Sequence, residues 1–112
     1  MPSALCLMYH GLAADGIVPC GADPHYTVAT TAFAAQLDAL TAAGACVGSA
    51  CEGMQQAQPN AVWIGFDDGD VSNYSQALPV LAERGLQADF FVNPARVGSA
   101  GYCHWSELRA LA

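Results

Sequence analysis

Val62-Trp63-Ile64-Gly65-Phe66 is an apolar run that ends in two adjacent carboxylates, Asp67 and Asp68, followed by Gly69. Neighbouring like charges repel, and each costs several kcal/mol to desolvate unless a cation or hydrogen-bond donors compensate. A divalent metal ion would do so. One carboxylate would ligate the ion, while the other takes a proton from water whose pKa the ion lowers to about 7, for attack on a carbonyl. At a strand end the two side chains start on opposite faces, and Gly69 lets the backbone turn so that both approach a common centre. The competing reading makes the pair an anchor for the following helix, where an Asp near the N-terminus contributes about 0.3–1 kcal/mol.

The elements that would position these groups follow from hydrophobic period. Ala4 to Tyr9 reads as a strand buried on both faces and ended by His10 and Gly11. After a loop with Gly16, Pro19, Gly21 and Pro24, Thr30 or Thr31 caps a predicted helix with Phe33, Leu37 and Leu40 on one face and Gly44 as its stop. A brief strand surrounds Val47, and Cys51 to Asn60 reads as a surface connection. Ala61 to Phe66 is a second strand buried on both faces. Ser72 to Gly85 is helical in period, with Pro79 implying an irregular first turn or a restart. Ala88 to Val92 is a further strand, broken by Asn93-Pro94, and Trp105, Leu108 and Leu111 mark the start of a last helix.

Buried strands alternating with helices predict an α/β fold built on a parallel sheet. Ligands of such sheets gather at the carboxyl ends of the strands. His10, the Asp67-Asp68 pair and Asn93 all fall at such ends.

Net charge of -7, with no lysine and only Arg84, Arg96 and Arg109 as permanent cations, opposes binding to nucleic acid and to anionic membrane surfaces. No apolar run approaches the roughly 18 residues of a membrane span. The first residues lack a basic region followed by a cleavable apolar segment, so the chain as it stands is expected in the cytoplasm. Hydrophobic content of 54% in 112 residues supports one modest core and excludes a disordered chain. Cys6, Cys20, Cys46, Cys51 and Cys103 are odd in number and contain no Cys-x-x-Cys pair, which predicts free thiols.

Phe66-Asp67-Asp68-Gly69 after an apolar strand resembles the first motif of the polysaccharide deacetylase, or NodB-homology, family. Leu7-Met8-Tyr9-His10, Phe33-Ala34-Ala35-Gln36-Leu37, Ala77-Leu78-Pro79-Val80-Leu81, Ala88-Asp89-Phe90-Phe91-Val92 and Trp105-Ser106-Glu107-Leu108 agree with it in order and spacing. The resemblance implies parallel-sheet β/α units forming about half of a distorted (β/α) barrel. It implies hydrolysis of N-acetyl, or less often O-acetyl, groups on a sugar polymer, with Asp67 as catalytic base and Asp68 as ligand of a divalent metal, zinc being the expected ion. Family members complete the metal site with a later His-(Ser/Thr)-x-x-His motif, which residues 1–112 do not contain. A partial domain, binding metal poorly and weakly active or inactive alone, is therefore expected.

His10 is a candidate for lining the substrate side, with a histidine satisfied by backbone as its alternative. Tyr9 and Trp105 have the chemistry to stack on sugars, but buried packing is the expected fate of both. Asp70 is expected to hold the following turn. Two other functional classes compete. One is a noncatalytic half-barrel that self-associates through its open sheet edge. The other takes Asp68-Gly69-Asp70 as the Asp-x-Asp of a haloacid-dehalogenase-like phosphatase, although that motif follows the first strand of its own fold.

Overall fold

The computed structural model describes residues 3–14, 23–56 and 58–112. Its strands are β1 (Ala4–Tyr9), β2 (Gly11–Ala13), β3 (Thr27–Ala29), β4 (Cys46–Gly48), β5 (Ala61–Asp68) and β6 (Asp89–Val92). Its α-helices are α1 (Thr30–Ala42), α2 (Ala50–Gly53), α3 (Leu78–Glu83) and α4 (Trp105–Leu111). The predicted loop glycines Gly16 and Gly21, with Pro19 and Cys20, lie outside the described residues.

A strand has two hydrogen-bonding edges, and β5 uses both. β1 pairs with it from Ala61 to Phe66, while β4 pairs at Ala61–Trp63 and β6 at Gly65–Asp68, all in parallel. Both β4 and β6 overlap the stretch taken by β1, so they must follow one another along the opposite edge. The expected parallel α/β sheet is present, and its register brings the carboxyl end of β1 beside Phe66 and Asp67.

Alternation along the strands divides the sheet. Val62, Ile64 and Phe66 of β5 face the core with Tyr9, Leu12, Phe33, Leu37, Val80 and Leu81. Tyr9, Phe33 and Phe66 form mutual aromatic contacts with centroids 4.9–5.5 Å apart, and Phe66 stacks on Phe90 at 5.3 Å. The Tyr9 hydroxyl donates to Gln36 Oε1 at 2.6 Å, which satisfies the polar end of a buried ring. Burial pushes that phenol above its ordinary pKa. On the other face a Cβ added at Gly65 would meet Met8 Sδ at 2.8 Å and Phe91 at 3.4 Å, so these side chains spread over that glycine.

β1 departs from the expected burial on both faces: Leu5 is 57% and Met8 48% exposed, and Tyr9 alone is buried. Leu5 and Met8 lie on opposite faces of the strand, so among the described residues both faces of β1 are left partly uncovered. β6 likewise leaves Phe91 exposed.

Helix α1 carries Phe33 and Leu37 to the core as predicted, but Thr30 and Thr31 do not cap it. Ala29 is the N-cap, and the Thr30 hydroxyl instead donates to Gln76 Oε1 at 3.0 Å. Gly44, at φ +86, ends the helix: its N–H donates to Thr41 O and that of Ala45 to Leu40 O, a Schellman arrangement. The expected surface connection after Cys51 contains α2 instead. Ser49 caps it through Glu52 N, and Asp89 accepts from Ala50 N at 2.6 Å. Pro79 has the anticipated effect. Because it cannot donate to an i−4 carbonyl, Asn73–Ala77 forms a wide π turn in which Leu78 N–H reaches Asn73 O, and α3 restarts around the proline.

Candidate active site

β5 runs two residues beyond its predicted end and carries Asp67 and Asp68 to the carboxyl rim, where they oppose Phe91 and Val92 of β6. The turn begins one residue earlier than expected: Asp68 itself takes φ +81, and Gly69 follows at φ +76. A left-handed conformation costs an ordinary residue about 1–3 kcal/mol, and Asp tolerates it better than most. It breaks the strand alternation that would otherwise separate the two side chains. Both carboxylates line one cleft of about 280 Å³ at the rim, together with His10.

His10 follows β1 directly. Its Nδ1 lies 3.2 Å from Asp68 Oδ2 and its Nε2 4.0 Å from Asp67 Oδ2, so the imidazole spans the pair. An ionised carboxylate only accepts, and Nδ1 is therefore the nitrogen that donates to Asp68. Neither aspartate anchors the next helix, since neither the π turn nor α3 has a side-chain cap hydrogen bond.

Holding the turn is the work of Asp70, as expected. It is buried, with Oδ1 accepting from Ser72 N at 2.9 Å and its carbonyl from Asn73 N at 2.9 Å. Ser72 and Asn73 then reach across to the end of β1. Ser72 Oγ accepts from Leu12 N, and Asn73 Nδ2 donates to His10 O, both at 2.9 Å. Cys103 closes the other side, its N–H on Gly69 O at 2.9 Å and its thiol on Asp70 O at 3.4 Å. These bonds fix the backbones that present His10 and Asp68 to each other.

Sequence reasoning did not place Asp23, Tyr26 and Tyr102 in this cleft. Tyr26 arrives through the 3-10 turn Pro24–Tyr26 and the parallel pairing of β2 with β3, neither of which has a strong local pattern. Asn93, expected at the rim, spends its Oδ1 on Ala95 N at 3.1 Å as cap of a short 3-10 turn. Tyr9 is buried as expected, whereas Trp105 is 59% exposed at the start of α4.

Four carboxylates, Asp23, Asp67, Asp68 and Asp70, line the cleft, and among the described residues no arginine does. Asp70 Oδ2 is buried without a hydrogen-bond partner. Such an excess of negative charge suits a divalent cation, and Asp68 is the more exposed of the adjacent pair at the open rim. The donor set is partial: among the described residues no three His, Cys, Asp or Glu side chains are grouped to hold a metal ion.

The parallel sheet with acidic groups at its carboxyl rim defines an α/β protein of the barrel-forming kind. Residues 54–112, more than half of the chain, match the family model for polysaccharide deacetylase, and the chain belongs to that family. IcaB from Ammonifex degensii has a similar structure, with a TM-score of 0.80, 28% identity, and coverage of 99% of this chain and 48% of that one. A de-N-acetylase from Aggregatibacter actinomycetemcomitans matches at TM-score 0.79 and 19% identity over 96% of this chain and 50% of that one. The Streptococcus pyogenes deacetylase PplD, solved in complex with acetate, matches at 0.78 and 22%, over 99% and 53%. The chain thus spans about half the length of these structures, and its β/α units form about half of a deacetylase-type barrel. No curated protein matches the chain. Family membership displaces the phosphatase reading of Asp68-Gly69-Asp70. No helix among the described residues is long and apolar enough to cross a membrane.

Proposed function

We propose that residues 1–112 are the amino-terminal part of a metal-dependent polysaccharide deacetylase, with Asp67 as catalytic base, Asp68 as metal ligand and His10 on the substrate side. The observation that carries this reading is the convergence of Asp67, Asp68 and His10 in one cleft at the carboxyl rim of a parallel sheet. A divalent cation, zinc by resemblance to the family, supplies Lewis-acid activation of water and carbonyl when bound. Asp67, partly exposed beside that position, takes the proton from the attacking water. The water oxygen bonds to the acetyl carbon, the carbon–nitrogen bond breaks as the nitrogen takes up a proton from a general acid on the other half of the barrel, and acetate and a free amine leave. His10 holds Asp68 in place and offers its ring edge to substrate. The remaining ligands would come from a His-x-x-x-His motif on the other half of the barrel.

The test has two parts. The 112-residue chain, titrated with zinc by calorimetry, is expected to bind weakly and to release little acetate from an N-acetylglucosamine oligomer. In a protein completed with the second half of the barrel, Asp67→Asn should lower kcat by at least about a hundredfold, in keeping with loss of a general base. Robust turnover by the chain alone, or an active Asp67→Asn enzyme, overturns the reading.

A second reading, a noncatalytic half-barrel that associates through its sheet, draws support from the exposed Leu5, Met8 and Phe91. Concentration-dependent dimerisation in size-exclusion chromatography, unaffected by zinc, would favour it.

A further inference from the structure

Tyr26 stands apart from the other aromatic residues of the rim. It is 54% exposed, yet its ring is held: it packs at 5.0 Å from His10 in a tilted contact and at 5.0 Å from His25 edge-on. Its backbone is also fixed. Asp23 accepts from His25 N through Oδ1 and from Tyr26 N and the Thr27 hydroxyl through its carbonyl, while Pro24 restricts the turn. Thr27 pairs with Gly11, so the residues preceding each, Tyr26 and His10, are brought side by side.

An exposed ring that is rigid before any ligand arrives suits stacking against a flat, partly apolar partner, because little side-chain entropy remains to be lost on binding. A pyranose is such a partner: its C–H face packs on an aromatic ring, and its hydroxyls donate to carboxylates like those of Asp67 and Asp68 in the same cleft. We propose that Tyr26 is a stacking platform for a hexosamine ring of the polymer, beside the ring whose acetyl group is removed. This rests on the deacetylase reading for the identity of the sugar, but the platform itself rests on Tyr26.

The 112-residue chain would be titrated with a soluble tetramer of N-acetylglucosamine, with the Tyr26 ring resonances followed by NMR, in the wild type and in Tyr26→Ala, Tyr26→Phe and Asp67→Asn. Tyr26 is half exposed and the Asp67 side chain partly so, and all variants should keep the wild-type melting temperature. Expected are movement of the Tyr26 resonances, an affinity loss of about tenfold in Tyr26→Ala, and a change within about threefold in Tyr26→Phe, which keeps the ring. Wild-type affinity in Tyr26→Ala, equal loss in Tyr26→Phe, unmoved ring resonances, or no binding by the wild type would each overturn the platform. In the completed protein, acetate release abolished by Asp67→Asn with KM unmoved by Tyr26→Ala removes the platform and keeps the deacetylase. Tetramer binding that needs Tyr26, with no acetate release under any metal, keeps the platform and removes the deacetylase.

Discussion

His10 Nδ1 lies 3.2 Å from Asp68 Oδ2 although the two residues are 58 apart in sequence. The contact exists because β1 and β5 run parallel in a register that sets Tyr9 against Phe66, so the next residue of β1 arrives beside the carboxylates. Among the described residues the imidazole is the one basic side chain that contacts both of the adjacent carboxylates. It holds a carboxylate oxygen that would otherwise rotate freely at an open rim.

Replacing His10 by Ala should therefore loosen Asp68. In a protein completed with the rest of the barrel, the zinc affinity of His10→Ala, measured by chelator competition, is expected to fall about tenfold, as for loss of a group that orients a ligand. Unchanged affinity would mean that the contact between His10 and Asp68 does not orient a ligand.

Asn73 bears on the same contact from behind, through its 2.9 Å hydrogen bond to His10 O. Asn73→Ala leaves that partly buried carbonyl without its side-chain donor, and urea unfolding should register a loss of about 1–2 kcal/mol. Ring nitrogen shifts of His10 in NMR should change as well, since the backbone that aims the imidazole is released.

Gly53 has a different constraint. A Cβ there would overlap Trp63 Nε1 and come within 2.7 Å of Cε2, both atoms of a rigid indole. Gly53→Ala is expected to cost about 1–3 kcal/mol through overpacking. Trp63 fluorescence should shift with it, and wild-type emission and stability would show that α2 yields instead.

Cys103 carries a pH dependence. Burial first, and the Glu107 carboxylate second, raise its thiol pKa from 9.0 to about 11. Below the ordinary thiol pKa both folded and unfolded chains keep the proton, and its contribution to stability is fully present. Between about 9 and about 11 the unfolded chain ionises while the folded one does not, so stability falls as pH rises through that window. Iodoacetamide at neutral pH should label the exposed Cys6, Cys46 and Cys51 well before the buried Cys103. Early labelling of Cys103 would contradict this.

The two aspartates and His10 were legible in the sequence because each ends an apolar run, and parallel order sends such ends to one rim. In the core, Phe33 and Leu37 were legible from helical period, and Ile64 and Phe66 from a continuous apolar run. Tyr26 was not, because its place depends on a three-residue turn and on the pairing of Thr27 with Gly11, which only the folded chain brings together. Exposure was misjudged for β1 and Trp105, since apolar character reports what a side chain suits and not which layer covers it. The start of α1 was missed for a related reason, since Thr30 finds Gln76, a partner distant in sequence that replaces local capping; at α2 the local cap of Ser49 is present and Asp89 adds a distant acceptor for Ala50 N.

The left-handed backbone at Asp68 governs how its chemistry can be dissected. Alanine there would remove the carboxylate and also place a residue poorly suited to φ +81 at the rim, mixing two effects in one number. Asparagine is nearly isosteric and among the residues most at ease in that conformation, so it alters charge while sparing the main chain. At this position the conservative replacement is the more discriminating probe.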